Sequence, residues 1–284
     1  MRVLDARPAY WINRPGPDSQ WHNPNWMSKL PDSTHLSELS IPGTHDTMSY
    51  ETQKIGVPWV WCQCLDLETQ LKMGIRFLDI RCRDFGEGLP LHHDVYYLNR
   101  NFNDGLEIVS NYLRNHIWEF VVVNVQEEHS NTGESFTNKV HDVLDRYGGI
   151  VYEGGKNPTL SDIRGKIVVL AHFNTTRPYL KWDEFEVENH WDNVSTNDKF
   201  DFIKKNFEHA RDWKNYFKFL TFSSRTKKIW GGSLGYKYPR TTAQETNPKV
   251  LEYLKQNKGR VGIVAMNYPG PELIRNIIEH NHHA

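Results

Sequence analysis

Two histidines, an arginine and several carboxylates stand at the ends of successive apolar runs in this chain of 284 residues. The first run closes in Ile41-Pro42-Gly43-Thr44-His45-Asp46, the second in Asp79-Ile80-Arg81 and the third in Leu91-His92-His93-Asp94. A fourth closes in Asn124-Val125-Gln126-Glu127-Glu128, and a late one in Asn267-Tyr268. These residue types suit chemistry at a phosphate ester. One imidazole takes a proton from a nucleophilic hydroxyl, a second returns one to the leaving oxygen, and a guanidinium neutralises charge at phosphorus. Singly, each signal is weak. One His among 14 is more often a surface or satisfied core residue, and Asp-x-Arg on a strand is more often an ion pair. The weight lies in their co-occurrence. Asp79 and Arg81, two apart on a strand, share a face, whereas His92 and His93 point to opposite faces, so only one of the doublet enters a common site.

The elements that must carry these residues follow from periodicity. Apolar runs at 39–44, 76–81, 89–93, 120–125, 166–173, 219–223 and 260–267 predict strands. Several are continuous β-branched blocks (VVVNV, KIVVL, RVGIVAM), the pattern of strands buried on both faces. Amphipathic stretches at 65–73, 105–115, 136–147, 199–213 and 248–256 predict helices between them. This alternation, with no Gly-rich phosphate loop after any strand, predicts an α/β fold of the TIM (β/α) barrel type rather than a doubly wound sheet. The second and third strands are joined by a short turn. Residues 1–35, rich in Pro and Trp without periodicity, read as an irregular arm over a single barrel domain at 36–284.

Composition narrows the partners. A net charge of -1 supplies no electrostatic case for nucleic acid. Cys62, Cys64 and Cys82 lack zinc-ligand spacing, and the first two are too close for an easy disulfide, so buried free thiols are expected. No apolar run reaches the roughly 18 residues of a membrane span, and the N-terminus has no signal-peptide pattern, so a soluble chain of open compartment is expected.

Three segments carry a resemblance: Ser40-Ile41-Pro42-Gly43-Thr44-His45-Asp46-Thr47, the run from Gln70 to Arg81, and Leu91-His92-His93. Together they resemble the catalytic X region of the phosphatidylinositol-specific phospholipases C, above all the small bacterial enzymes. Looser similarity extends over residues 35–270. The resemblance implies a distorted TIM barrel and a two-step reaction. The inositol 2-hydroxyl attacks phosphorus, expels diacylglycerol and leaves a 1,2-cyclic phosphate, which is then slowly hydrolysed. It implies His45 as general base, His93 as general acid and Arg81 on the phosphoryl charge. Asp46 then assists the leaving group, and Asp79 holds the arginine or the base.

Departures bear on the head group. Gln126 stands where metal-free bacterial members carry lysine, Asn267 where an aspartate supports the base, and His172 where an arginine binds substrate. Asp198 aligns with an inositol-contacting aspartate, followed by Phe200. Calcium-dependent members place an acidic residue at the position of Arg81. Asp46, Asp79, Glu127 and Glu128 are oxygen-rich enough for calcium, but Arg81 among them repels it, so no metal or other cofactor is expected. The partner implied is phosphatidylinositol in a membrane surface, met by a monomer. Trp59 and Trp61, and Trp230 beside Lys227 and Lys228, are candidate membrane contacts. Trp59 and Trp230 are expected exposed at the rim, while Trp61 suits the barrel wall equally well. Two alternatives stay open: a metal-dependent barrel phosphodiesterase for another lipid head group, and an X-domain that binds lipid without turnover.

Overall fold

The computed structural model describes residues 6–7, 10–11, 21–50, 59–213, 217–226 and 238–282. In chain order the strands are β1 (Ile41–Thr44), β2 (Phe77–Cys82), β3 (Pro90–His93), β4 (Tyr96–Asn101), β5 (Val121–Glu127), β6 (Ile167–His172), β7 (Leu180–Lys181), β8 (Phe185–Glu188), β9 (Lys218–Phe222) and β10 (Ile263–Met266). The helices are α1 (Leu67–Met73), α2 (Phe102–Asn115), α3 (Glu134–Asp145), α4 (Leu160–Ile163), α5 (Thr196–Asp212), α6 (Pro239–Gln256) and α7 (Pro271–Glu279). A two-residue antiparallel pair, Ala6–Arg7 with Tyr10–Trp11, lies apart from the main sheet.

The β-branched blocks form the middle of the sheet, as expected of strands covered on both faces. Neighbours run in the order β8-β9-β10-β1-β2-β5-β6-β7, each ladder parallel. The seam between β7 and β8 is spanned by the chain itself. One bent segment pairs with β6 at Leu180–Lys181, turns through a 3-10 helix at Trp182–Glu184, and pairs with β9 at Phe185–Glu188. The result is a barrel open by one ladder, with α1 to α6 in the connections and α7 after the last strand. The three cysteines are buried and unbonded to one another.

Three expectations are corrected. The 89–93 run is no barrel strand: β3 pairs antiparallel with β2 at Cys82↔Leu91 and forms a hairpin with β4. The connection from β2 is too short for a parallel crossover, which needs about a dozen residues. The helix expected from Pro248 starts instead at Pro239, a favoured first-turn position, and Pro248 sits inside it. Strand β8 and helix α7 were not expected. In β8 the sequence Phe-Glu-Val-Glu reads as polar, yet Glu188 is buried against the ammonium of Lys199 at 2.8 Å.

Residues 21–35 close the end of the barrel opposite the site. Trp26 and Met27 are buried; the Trp26 indole donates to the Gly74 carbonyl at 3.0 Å, and the Met27 amide to Glu119 at 2.9 Å. Glu119 pairs with Arg76 at 2.8 Å, both fully buried, and Arg76 also donates to the Pro24 carbonyl at 2.8 Å. This part of the arm is thus a plug joined to the strand bases, which leaves the other mouth for chemistry.

Gly43 shows how tightly the wall beneath that mouth is packed. A Cβ there would lie 2.7 Å from the Cβ of Phe77 on the neighbouring strand. Gly43→Ala is expected to lower stability by about 1–3 kcal/mol, read as a drop in Tm. An unchanged Tm would show that β1 and β2 can separate.

Candidate active site

Strand register brings the polar residues together. Thr44 is level with Leu78 and with Met266, so His45 and Asn267 emerge side by side just above their strands. Arg81, Gln126 and His172 form one row across β2, β5 and β6, and Asp79 and Asn124 lie in a row below. Asp46 and Tyr268, which follow His45 and Asn267, both have a φ of 45°. Non-glycine residues rarely adopt this left-handed backbone, and it clusters at functional sites.

The hydrogen bonds set the state of His45. Arg81 has only donors, so its Nη2, 2.9 Å from His45 Nε2, requires that nitrogen to carry a lone pair. The ring proton therefore sits on Nδ1 and is donated to Asn267 Oδ1 at 2.9 Å. Asn267 is itself placed by Asn247, whose amide donates to the Asn267 carbonyl at 2.9 Å. Gln63 donates to the carbonyls of His45 at 2.7 Å and Met266 at 2.9 Å, tying the two strand ends together. Burial, then the Arg81 charge, depresses the His45 pKa to about 3.

Asp79 is the buried anchor of the group. One oxygen accepts from Asn124 at 2.9 Å; the other accepts from the Asp46 amide at 3.0 Å and from Arg81 Nε and Nη2 at 3.3 and 3.2 Å. Burial works against its charge, but Arg81, His45 and these donors keep its pKa below the usual value. Burial likewise opposes the Arg81 charge, and Asp79, Asp46 and Glu128 more than offset it.

His93 reaches the same place from the β3–β4 hairpin. Its ring stands edge-on to that of His45, with centroids 6.3 Å apart. Nδ1 lies 2.6 Å from the Val60 carbonyl, which can only accept, so Nδ1 carries the proton. Asp46 Oδ2 is 3.5 Å from the same nitrogen. Burial, then Arg81, lowers the His93 pKa to about 4, and burial pushes the Asp46 carboxyl well up. His92 faces away, against the Pro90 carbonyl at 3.1 Å and the Tyr97 ring.

Other expected residues are placed unevenly. His172 lies on the rim, stacked on Trp182 with ring centroids 3.9 Å apart, and its buried Nδ1 has no hydrogen-bond partner among the described residues. Gln126 is partly exposed beside it. Asp198 does not join them. It is exposed in the first turn of α5, accepting from Ser195 Oγ at 2.6 Å as part of the helix cap. The residues that leave the barrel after β8 are instead Asn189 to Asp192, including the exposed Trp191. Trp59 is half-buried against the core and edge-on to Tyr96, not an exposed rim residue. Trp61 is also half-buried, and its carbonyl accepts from Tyr268 at 3.0 Å. Trp230, with Lys227 and Lys228, lies outside the described residues.

Cys62, Trp182 and Phe222 enter the site without having been named, and Asn124 and Glu128 enter it as partners of Asp79 and Arg81. Asn124 was accessible from the sequence, since it alternates with Gln126 on a strand. Nothing near Cys62 in the chain points to His93. The four carboxylates considered for calcium do not converge. Asp79 is saturated by donors, Glu127 turns outward to Ser130 at 2.8 Å and the Thr132 amide at 2.7 Å, and Arg81 lies 3.9 Å from Glu128.

Known proteins share this arrangement of chain and barrel. The family model described as phosphatidylinositol-specific phospholipase C, X domain, matches residues 34–173. A 1-phosphatidylinositol phosphodiesterase of Listeria monocytogenes is 32% identical over 279 residues, covering 90% of this chain and 84% of that protein. One from Staphylococcus aureus is 28% identical over 320 residues, covering 98% and 96%. The solved structure of the phosphatidylinositol-specific phospholipase C from L. monocytogenes matches with a TM-score of 0.80 at 28% identity, over 91% of this chain and 98% of that one. Likeness of this extent, in sequence and fold together, shows that the chain belongs to the phosphatidylinositol-specific phospholipase C family.

Proposed function

We propose that this protein cleaves phosphatidylinositol to diacylglycerol and inositol 1,2-cyclic phosphate, with His45 as base, His93 as acid and Arg81 on the phosphate. The observation that carries it is the pair of edge-on imidazoles, 6.3 Å apart, with a guanidinium bonded to the lone pair of one of them. The anionic phosphodiester draws the Arg81 fork onto its oxygens, and this uncovers His45 Nε2. That nitrogen takes the proton of the inositol 2-hydroxyl as its oxygen attacks phosphorus. The bond to the glycerol oxygen breaks, and that oxygen takes a proton from His93 Nε2.

The two histidines are suited to different roles. Asn267 holds the His45 tautomer but brings no charge to an imidazolium. Asp46, 3.5 Å from His93 Nδ1, brings one when it ionises, which an imidazolium beside it favours. In the free site both rings are neutral at pH 7, and the negative charge of the arriving phosphodiester favours the imidazolium that the acid requires. His172 and Gln126, level with Arg81, suit hydrogen bonding to inositol hydroxyls. The 2-hydroxyl is already part of the substrate, so attack avoids the entropic cost of fixing a water.

Because Arg81 already supplies the cation, the reaction proceeds without metal. Phosphorus NMR of the protein with phosphatidylinositol in EDTA is expected to show the cyclic phosphate before any open-chain monophosphate. Loss of activity on chelation, or inositol 1-phosphate arising without the cyclic ester, would overturn this reading.

The substrate's acyl chains lie in a bilayer, so the mouth meets a lipid surface as a monomer. Phe85, Val95, Tyr97 and Trp191 support this: all are exposed on segments that follow strand ends at the mouth or on the β3–β4 hairpin. Joint replacement of Phe85 and Tyr97 by Ala is expected to weaken binding to phosphatidylinositol vesicles while sparing cleavage of a short, water-soluble inositol phosphodiester. Equal losses on both substrates would count against contact at these residues.

A further inference from the structure

Behind His93 lies a set of side chains that this reaction does not use as a set. Asp46, Cys62 and His93 offer one oxygen, one sulfur and one nitrogen, all within 4.8 Å of one another. Cys62 Sγ is 3.9 Å from His93 Nδ1, and Asp46 Oδ2 is 3.5 Å from it. That carboxylate oxygen is buried and accepts no hydrogen bond from the described residues. The single proton on Nδ1 is directed to the Val60 carbonyl at 2.6 Å, so Oδ2 is left as an unsatisfied acceptor. Asp46 and Cys62 are otherwise sealed at 1% and 0% exposure, while the His93 side chain keeps 19%, which leaves a way in from the mouth.

Thiolate, imidazole and carboxylate form a zinc-type donor set, with a fourth tetrahedral position left for water or a carbonyl. Sulfur and nitrogen disfavour calcium and magnesium, which take oxygen ligands. The charges also match, because a thiolate and a carboxylate cancel a divalent ion and add no net positive charge beside Arg81. We propose that Asp46, Cys62 and His93 form an inhibitory site for a zinc-class divalent cation, which switches the enzyme off by coordinating the inner nitrogen of its acid. The inhibitory part rests on the reading of His93 as that acid. On binding, the Cys62 thiol proton leaves to solvent, and the single imidazole proton moves from Nδ1 to Nε2. The Nδ1 lone pair then joins the metal. A ring so bound cannot take a second proton, so no imidazolium forms to protonate the leaving oxygen.

Cadmium titrated into the chelator-stripped full-length protein reads the site without reference to activity. A thiolate-to-metal charge-transfer band is expected to saturate at one equivalent in the wild type and to be absent in Cys62→Ala, whose folding is checked by Tm. Zinc is expected to inhibit phosphatidylinositol cleavage by the wild type, reversibly with EDTA, while calcium does not. Measured against its own metal-free rate, Cys62→Ala is expected to need about 10- to 100-fold more zinc for half-inhibition. No band in the wild type would overturn the site, even if the variant failed to fold. A band without inhibition, or equal zinc sensitivity in Cys62→Ala, would overturn the switch. Failure of the wild type to cleave phosphatidylinositol in EDTA would instead remove the functional reading, and the cadmium band would still decide the site.

Discussion

Replacing either His45 or His93 with alanine is expected to lower phosphatidylinositol turnover by about 100- to 10,000-fold, the usual cost of losing a positioned acid or base. Both losses should leave Tm close to wild type. His45 links the end of β1 to Asn267 after β10 and to Arg81 on β2, and His93 bonds to Val60, but these ring contacts are not the main ties between strands. The strand ends at the mouth are joined instead through Gln63 and by the parallel ladders. The control is His92→Ala, which should stay active because that ring turns toward Pro90 and Tyr97. Full activity in His93→Ala with loss in His92→Ala would show that the β3–β4 hairpin is set one residue out of register. The readout is diacylglycerol release from mixed micelles, compared at matched Tm.

Arg81→Lys is expected to cost about 100- to 1,000-fold in kcat, the scale for removing one preorganised donor from a developing oxyanion. Charge is retained in this variant, so the loss isolates geometry. In the wild type, Nε and Nη2 both engage Asp79 while Nη2 also reaches His45, an arrangement that needs the planar fork. A lysine ammonium is a point charge on a flexible stem. It cannot give Asp79 two parallel N–H bonds and still present donors in a fixed plane to phosphate. Arg81→Ala should be worse for folding as well, because the buried Asp79 carboxylate would lose its cation, and breaking a buried pair typically costs about 3–5 kcal/mol. Comparing the two variants separates catalysis from stability. If Arg81→Lys retained near-wild-type kcat, the fork would not be the group that stabilises the phosphoryl charge.

Much of the catalytic group was legible because it depends on short-range rules. Asp79 and Arg81 share a face by strand alternation alone, and the β-branched runs around them mark strands buried on both sides. His45 and Arg81 follow runs whose type is unambiguous. Errors arose where neighbours far apart in sequence set the outcome. Asp198 looks like a site residue beside an aromatic, yet it lies one turn into α5, where a Ser195 cap engages it. The strand that delivers residues to that side of the mouth is β8. Its polar sequence hides a strand because Lys199 and Lys218, from α5 and β9, pair with acidic residues around it. Pro248 resembles a helix start, but α6 had already begun at Pro239.

What the sequence by itself determined was the kind of protein: a barrel built on buried β-branched strands, with two histidines and an Asp-x-Arg at strand ends. Those signals survive in one dimension because periodicities of 2 and 3.6 residues are local properties of the backbone. Only the tertiary structure decided the states of the groups. The His45 tautomer depends on Asn267, 222 residues away, and on Arg81. The contact of Cys62 and Asp46 with His93 depends on a hairpin that folds back over the mouth rather than continuing the barrel. Protonation, hydrogen-bond direction and metal affinity are fixed by distances of a few ångströms. Those distances are set by how separate strands register against one another, and no spacing along a single strand contains them.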